Sequence, residues 1–159
     1  MSKKMDRGAD FTVYIDGASS GNPGDAGVGV VIESKDKKQK ETISRYIGTG
    51  TNNVAEYTAL IIALRRLETL QAREVDIRSD SELLVKQLRG EYSVKKEHLK
   101  KLFSTAVALC KKIPSLHVGH IRRDSNNEAD ALAKEAIKKY RRANRMVAAE
   151  QIPPVRDSD

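Results

Sequence analysis

With one cysteine, Cys110, in 159 residues, the chain cannot close an internal disulfide. The thiol falls on the apolar stripe Leu99, Leu102, Phe103, Ala106, Cys110 and Ile113, and is expected to be a buried core residue without chemistry of its own. No run approaches the 18 or more apolar residues that span a bilayer, and the N-terminal MSKKMDRGAD has charges but no apolar signal-peptide core. A cytoplasmic protein is therefore expected. Internal repeats and low-complexity segments are also lacking, so one domain is expected, long enough to bury a core.

Positive charge is abundant. The formal net charge is +7 and the sequence pI is near 9.5. The excess is clustered, first at Lys95, Lys96, Lys100, Lys101, Lys111 and Lys112, and again at Lys134, Lys138, Lys139, Arg141, Arg142 and Arg145. Either cluster alone could be a solvated helix face. Together they suggest a polyanionic partner.

Residues 1–8 read as a flexible leader and 144–159 as a largely disordered tail, leaving a domain at 9–143. Three strand-like runs come first, FTVYIDG, GVGVVIES and KETISRYIG, joined by a Gly/Pro turn and the charged hairpin KDKKQK, which predicts an antiparallel meander. A helix over about 53–70 carries Glu56, Leu60, Ala63, Leu64 and Leu67 on one face. Next come the strand REVDIRS, a short helix SELLVKQLR, a break at GEYSVKK, a helix over about 97–112, the strand SLHVGHI and a final helix. The order reads βββαβαβα, an α/β fold with a mixed five-stranded sheet and helices on both faces.

Four acids occupy the junctions of this plan. Asp16 ends the first strand before the turn GASSGNPG; Glu56 lies in TNNVAEYTAL at the opening of the long helix. Asp80 ends VDIRSD, and Asp130 lies in the first turns of the last helix. Carboxylates at strand ends and helix starts can converge on one rim of a sheet, where hard cations such as Mg²⁺ bind. Each also has a local alternative. Asn53 and Glu56 have capping-box spacing, and Asp80 or Ser81 could cap the following helix. Ser125 and Glu128 form a better box, S-N-N-E, which leaves Asp130 without a capping task.

With these motifs in place, the chain resembles a type 1 ribonuclease H across about residues 9–142. YIDGASSGNPG, TNNVAEYTAL, RSDSELLVKQL and NNEADALAKEA resemble that family's first-strand, first-helix, fourth-strand and last-helix motifs. The resemblance implies that Asp16, Glu56, Asp80 and Asp130 hold two Mg²⁺ ions, or Mn²⁺. It further implies hydrolysis of the RNA strand of RNA/DNA hybrids to 5′-phosphate and 3′-hydroxyl ends. Asn22, Asn52, Asn53 and Ser81 match positions lining the hybrid's minor groove, and Thr51 matches a DNA-phosphate contact. Where some members carry an arginine two residues before Thr51, this chain has Thr49.

Two further departures follow from the comparison of motifs. LRGEYSVKKEHLKKLF is too short for the basic handle helix of some bacterial members, so hybrid binding is expected to fall to Tyr92, Lys95, Lys96 and the adjacent helix. Some members carry a catalytic histidine on a flexible loop before the last acid. His120 lies ten residues before Asp130, yet HIRRDSNNEAD reads as a strand running into a short loop, which leaves His120 on the strand. Arg123 is then the better candidate beside the scissile phosphate. A monomer without a membrane or an obligate protein partner is expected. The alternative function is a non-catalytic hybrid- or RNA-binding module of the same fold; a polynucleotidyl transferase would need further DNA-binding domains.

Overall fold

The computed structural model describes residues 5–151. Five strands form one sheet in the order β3-β2-β1-β4-β5. The strands β1 (Phe11–Ser19), β2 (Gly24–Ser34) and β3 (Lys40–Gly50) make the expected antiparallel meander, and β4 (Glu74–Ser79) and β5 (Ser115–His120) pair in parallel beyond β1. The helices are α1 (Asn52–Thr69), α2 (Glu82–Leu88), α3 (Glu97–Cys110) and α4 (Asn127–Gln151), with a 3₁₀ turn at Arg123–Ser125. Because α2 and α3 are separate helices between β4 and β5, the full order is βββαβααβα rather than βββαβαβα.

The sequence pattern accounts for this arrangement. In β1 the alternate residues Phe11, Val13 and Ile15 are fully buried and join Leu60, Leu64 and Leu67 of α1 in the main core. Each such side chain contributes roughly 1.5–3 kcal/mol by leaving water. On α4 the stripe Ala129, Ala133, Ala136 and Ile137 is buried, and its small residues let the helix lie close on β2. Sheet faces covered by α1 and α4 leave the functional groups at the rim.

Several local expectations change. The leader is anchored where it is described: Met5 packs against the core, and the Gly8 amide donates to the Leu70 carbonyl at 2.9 Å. Residues 1–4 lie outside the described residues. The tail boundary at 143 is also too early, because α4 continues through residues 144–151. Between Asn127 and Pro153 the sequence has neither glycine nor proline, and Ala, Glu and Arg favour continued helix there. Residues 152–159 lie outside the described residues. Cys110 is only partly buried, at the border of the core, where burial pushes its thiol pKa up.

Candidate active site

Strand register brings the first two acids together. Ile15 of β1 lies opposite Ser79 of the parallel β4, so the next residues, Asp16 and Asp80, meet where that pairing and β4 end. The strand β1 does not end at Asp16 as expected but continues to Ser19 along β2. Ligands of α/β sheets commonly bind in crevices outside such ends. Glu56 arrives from α1 because Gly17 admits the helix: a Cβ on Gly17 would lie 2.2 Å from the Ala55 carbonyl carbon and 2.4 Å from the Glu56 nitrogen. Asp130 arrives by the same device on the other side. Gly29, paired with Asp16 across β1 and β2, would place a Cβ 2.0 Å from the Ala129 carbonyl oxygen.

Helix starts differ from the expected caps in a way that frees the acids. Thr51 caps α1, its hydroxyl accepting from the Val54 amide at 3.2 Å, so Asn53 and Glu56 do not form a capping pair. Ser81 caps α2 through the Leu84 amide at 3.2 Å, leaving Asp80 without that task. The expected Ser125/Glu128 box is replaced as well: Ser125 ends a 3₁₀ turn, and Glu128 pairs with Lys40 at 2.8 Å. Asn126 stands immediately before α4, and its carbonyl accepts the Asp130 amide at 3.1 Å.

One oxygen from each of Asp16, Glu56 and Asp80 lies within 4.8 Å of the others. Asp130 flanks this trio, close enough to raise the pKa of Asp16, while its own carboxylate pairs with Lys134 at 2.9 Å. Burial, then the charge of Asp80, pushes Asp16 up to about 7. Burial, followed by the charges of Asp16 and Asp80, pushes Glu56 up to about 9. A buried Glu56 oxygen, Oε2, has no hydrogen-bond partner. An all-oxygen donor set, crowded like charge and an orphaned carboxylate oxygen fit a divalent cation, which would offset the repulsion and take the free lone pair.

Asn126 opens the motif NNEADALAKEA, yet the sequence pattern assigns it no role at the site. It is 1% exposed, and its Nδ2 donates both to the Ile15 carbonyl at 2.9 Å and to Asp80 Oδ2 at 3.1 Å. It thus ties the start of α4 to both acid-bearing strands. A preference of Asn for helix starts is the local signal available; its link to Asp80, 46 positions away, has none.

The remaining expected residues form two groups. Beside the acids, the Asn52 amide nitrogen donates to Asn22 Oδ1 at 3.2 Å, and Asn52 Oδ1 accepts from the Ser19 amide at 3.1 Å. These bonds join the Gly-rich turn to the α1 N-terminus. Farther along, Asn53, Tyr92, Lys95 and Lys96 line a common groove of about 470 Å³. Tyr92 is half exposed beneath Lys86, whose Nζ lies 4.8 Å from the ring centroid. Lys96 precedes α3 directly, with no handle helix between α2 and α3 among the described residues. His120 ends β5 as expected, whereas Arg123 is exposed in the 3₁₀ turn near Lys134.

Comparisons with known proteins converge on one family. A family model described as "Reverse transcriptase-like" matches residues 14–136. Ribonuclease HI of Halobacterium salinarum is 39% identical over 132 residues, covering 83% of this chain and 66% of that protein. Bifunctional protein Rv2228c of Mycobacterium tuberculosis is 40% identical over 126 residues, 79% of this chain but 35% of its own length. The chain therefore spans about two thirds or less of these relatives. Among solved structures, LC11-RNase H1 in complex with an RNA/DNA hybrid has 43% identity and a TM-score of 0.77, covering 82% of this chain and 98% of that chain.

Proposed function

The chain belongs to the ribonuclease H family, and from that premise we propose that it hydrolyses the RNA strand of RNA/DNA hybrids, leaving 5′-phosphate and 3′-hydroxyl ends. The convergence of Asp16, Glu56 and Asp80, with Asp130 beside them and a buried Glu56 oxygen left unpartnered, carries this reading. Two Mg²⁺ or Mn²⁺ ions held by these four acids would supply charge neutralisation at the phosphate, a more acidic attacking water and stabilisation of the leaving oxygen. Asn126 fixes Asp80 for that task, and Lys134 compensates Asp130.

Specificity needs other residues, because the acids cannot distinguish RNA from DNA. The 2′-hydroxyl is the backbone group that differs. Asn22 and Asn52 spend their side-chain oxygens on the turn and helix start, which leaves each Nδ2 to donate to a substrate oxygen. Asn53 and Ser81 extend the same reading surface, and Thr51 holds the start of α1 beside a DNA phosphate. Lys95 and Lys96 lie at the N-terminus of α3, where lysines oppose the helix dipole. Their role is to hold phosphates along the groove with Tyr92, while Arg123 adds positive charge beside Asp130.

The direct test is incubation of a labelled hybrid with the purified protein in Mg²⁺, Mn²⁺ or EDTA. RNA-strand cuts bearing 5′-phosphates, with metal only, are expected. Hybrid binding without cleavage in every condition would replace the enzyme with a non-catalytic binding module.

A further inference from the structure

The basic middle of α4 is joined to the substrate-reading turn by a continuous set of side chains. Arg141 donates from Nε to Asp25 Oδ2 at 2.9 Å and from Nη2 to Ser20 Oγ at 2.7 Å. The Tyr46 hydroxyl donates to the other Asp25 oxygen at 3.1 Å. Tyr140, next to Arg141 on α4, stacks on Tyr46 with ring centroids 3.6 Å apart and planes within 7°. Both ends of the turn are therefore held: Ser20 and Asp25 by α4, and Asn22 by the Asn52 amide at the start of α1. Within the turn, the Ser20 amide donates to the Asp25 carbonyl at 2.8 Å.

From this geometry we propose that Arg141, Asp25, Tyr46 and Tyr140 form a clamp that positions Asn22 and Asn52 for hybrid recognition, so that Arg141 is a positioning residue. The inference rests on the hybrid-cleaving function above. It separates Arg141 from its basic neighbours Arg142 and Arg145, which have no ion pair among the described residues. Both guanidinium bonds end on the turn, which fixes the Arg141 side chain there. Asp25 is bound by Arg141 and Tyr46 strongly enough to hold its carboxyl below the usual range.

A sign difference makes the clamp testable. Removing Asp25 takes a negative charge away from the path of a polyanion, so long-range electrostatics alone would strengthen hybrid binding. Loss of the clamp would weaken it. Asp25→Ala and Arg141→Met are each expected to raise KM about two- to fivefold, the scale of losing an exposed charge-assisted contact, with kcat within about twofold of wild type. The salt dependence of binding should stay the same, because no phosphate contact is lost. In an Asn22→Ala background, Arg141→Met should add little, because the residue it positions is gone.

Amide exchange provides a readout independent of cleavage. In both variants the Ser19 and Ser20 amides should exchange several-fold faster while those of Val13 and Ile15 hold, and Arg141→Lys should recover part of the protection. An unchanged or lowered KM in Asp25→Ala, a flatter salt slope in Arg141→Met, or unaltered exchange at Ser19 and Ser20 would overturn the clamp. If wild type fails to cut hybrids, the function fails, yet exchange still decides whether the clamp orders the turn.

Discussion

Replacing Glu56 with glutamine should stabilise the metal-free protein while abolishing its metal-dependent activity. Glu56 is pushed up to about 9 by burial and by Asp16 and Asp80, against an ordinary value of 4.5. Between those values the folded state holds a proton that the unfolded chain releases, so stability falls as pH rises from about 4.5 to about 9. At pH 7 the linkage cost is about 3 kcal/mol, and water entering the acid cluster reduces it to roughly 1–3 kcal/mol. Glutamine carries no charge, and its Nε2 amide group can donate to the neighbouring carboxylates. The expected gain for Glu56→Gln in EDTA is therefore a Tm increase of roughly 4–10 °C at pH 7–8, shrinking toward zero near pH 4.5. Adding Mg²⁺ should raise the wild-type Tm more than that of the variant, because binding to the folded state adds stability in proportion to affinity. Thermal scans of both proteins at pH 5 and 8, with and without Mg²⁺, supply the measurement. An equal gap at both pH values, or a variant less stable than wild type at pH 8 in EDTA, would refute crowded carboxylate charge as the source of the effect.

Other perturbations separate the parts of the site. Asn126→Ala removes both ties of that side chain and should lower kcat or metal affinity about 10–100-fold while hybrid binding persists, as read by cleavage kinetics and metal titration. Gly29→Ala would force the new methyl onto the Ala129 carbonyl at 2.0 Å, so α4 must shift; a loss of roughly 3 kcal/mol in denaturant unfolding and weaker cleavage are expected. Neutralising Lys95 and Lys96 together should raise KM, leave kcat nearly unchanged and reduce the salt slope of binding by about 1–2. Truncation after residue 143 should change KM less than that double substitution, and a larger effect of truncation measured at two salt concentrations would shift phosphate binding to the end of α4.

The sheet and its acids were legible because local signals agreed. Asp80 directly follows the apolar strand β4, and Asp16 closes the apolar run FTVYID although β1 itself continues to Ser19. Glu56 lies near the start of α1, and parallel pairing of β4 with β5 follows from the intervening helices. What local pattern could not supply were partners made by the completed fold. Asn126 reaches Ile15 across 111 positions, and Arg141 reaches Asp25 across 116. Capping expectations failed by small offsets: Thr51 takes the position that spacing alone gives to Asn53. In α4, a run of basic residues resembles a solvated tail, yet the absence of Gly and Pro lets the helix continue to Gln151.

The most direct measurement of the central claim is single-turnover cleavage of an RNA/DNA hybrid by wild type and Asp16→Asn in saturating Mg²⁺, with hybrid affinity measured in parallel. Asp16 is 5% exposed, between Asp80, Glu56 and Asp130, and an amide cannot replace its anionic charge as a metal ligand. The account predicts RNA-strand cleavage by wild type, loss of cleavage in Asp16→Asn, and hybrid affinity within about threefold, because phosphate contacts lie elsewhere. Cleavage by Asp16→Asn within about tenfold of wild type, with contaminating nuclease excluded, would contradict the assignment of the four acids as the metal-dependent centre.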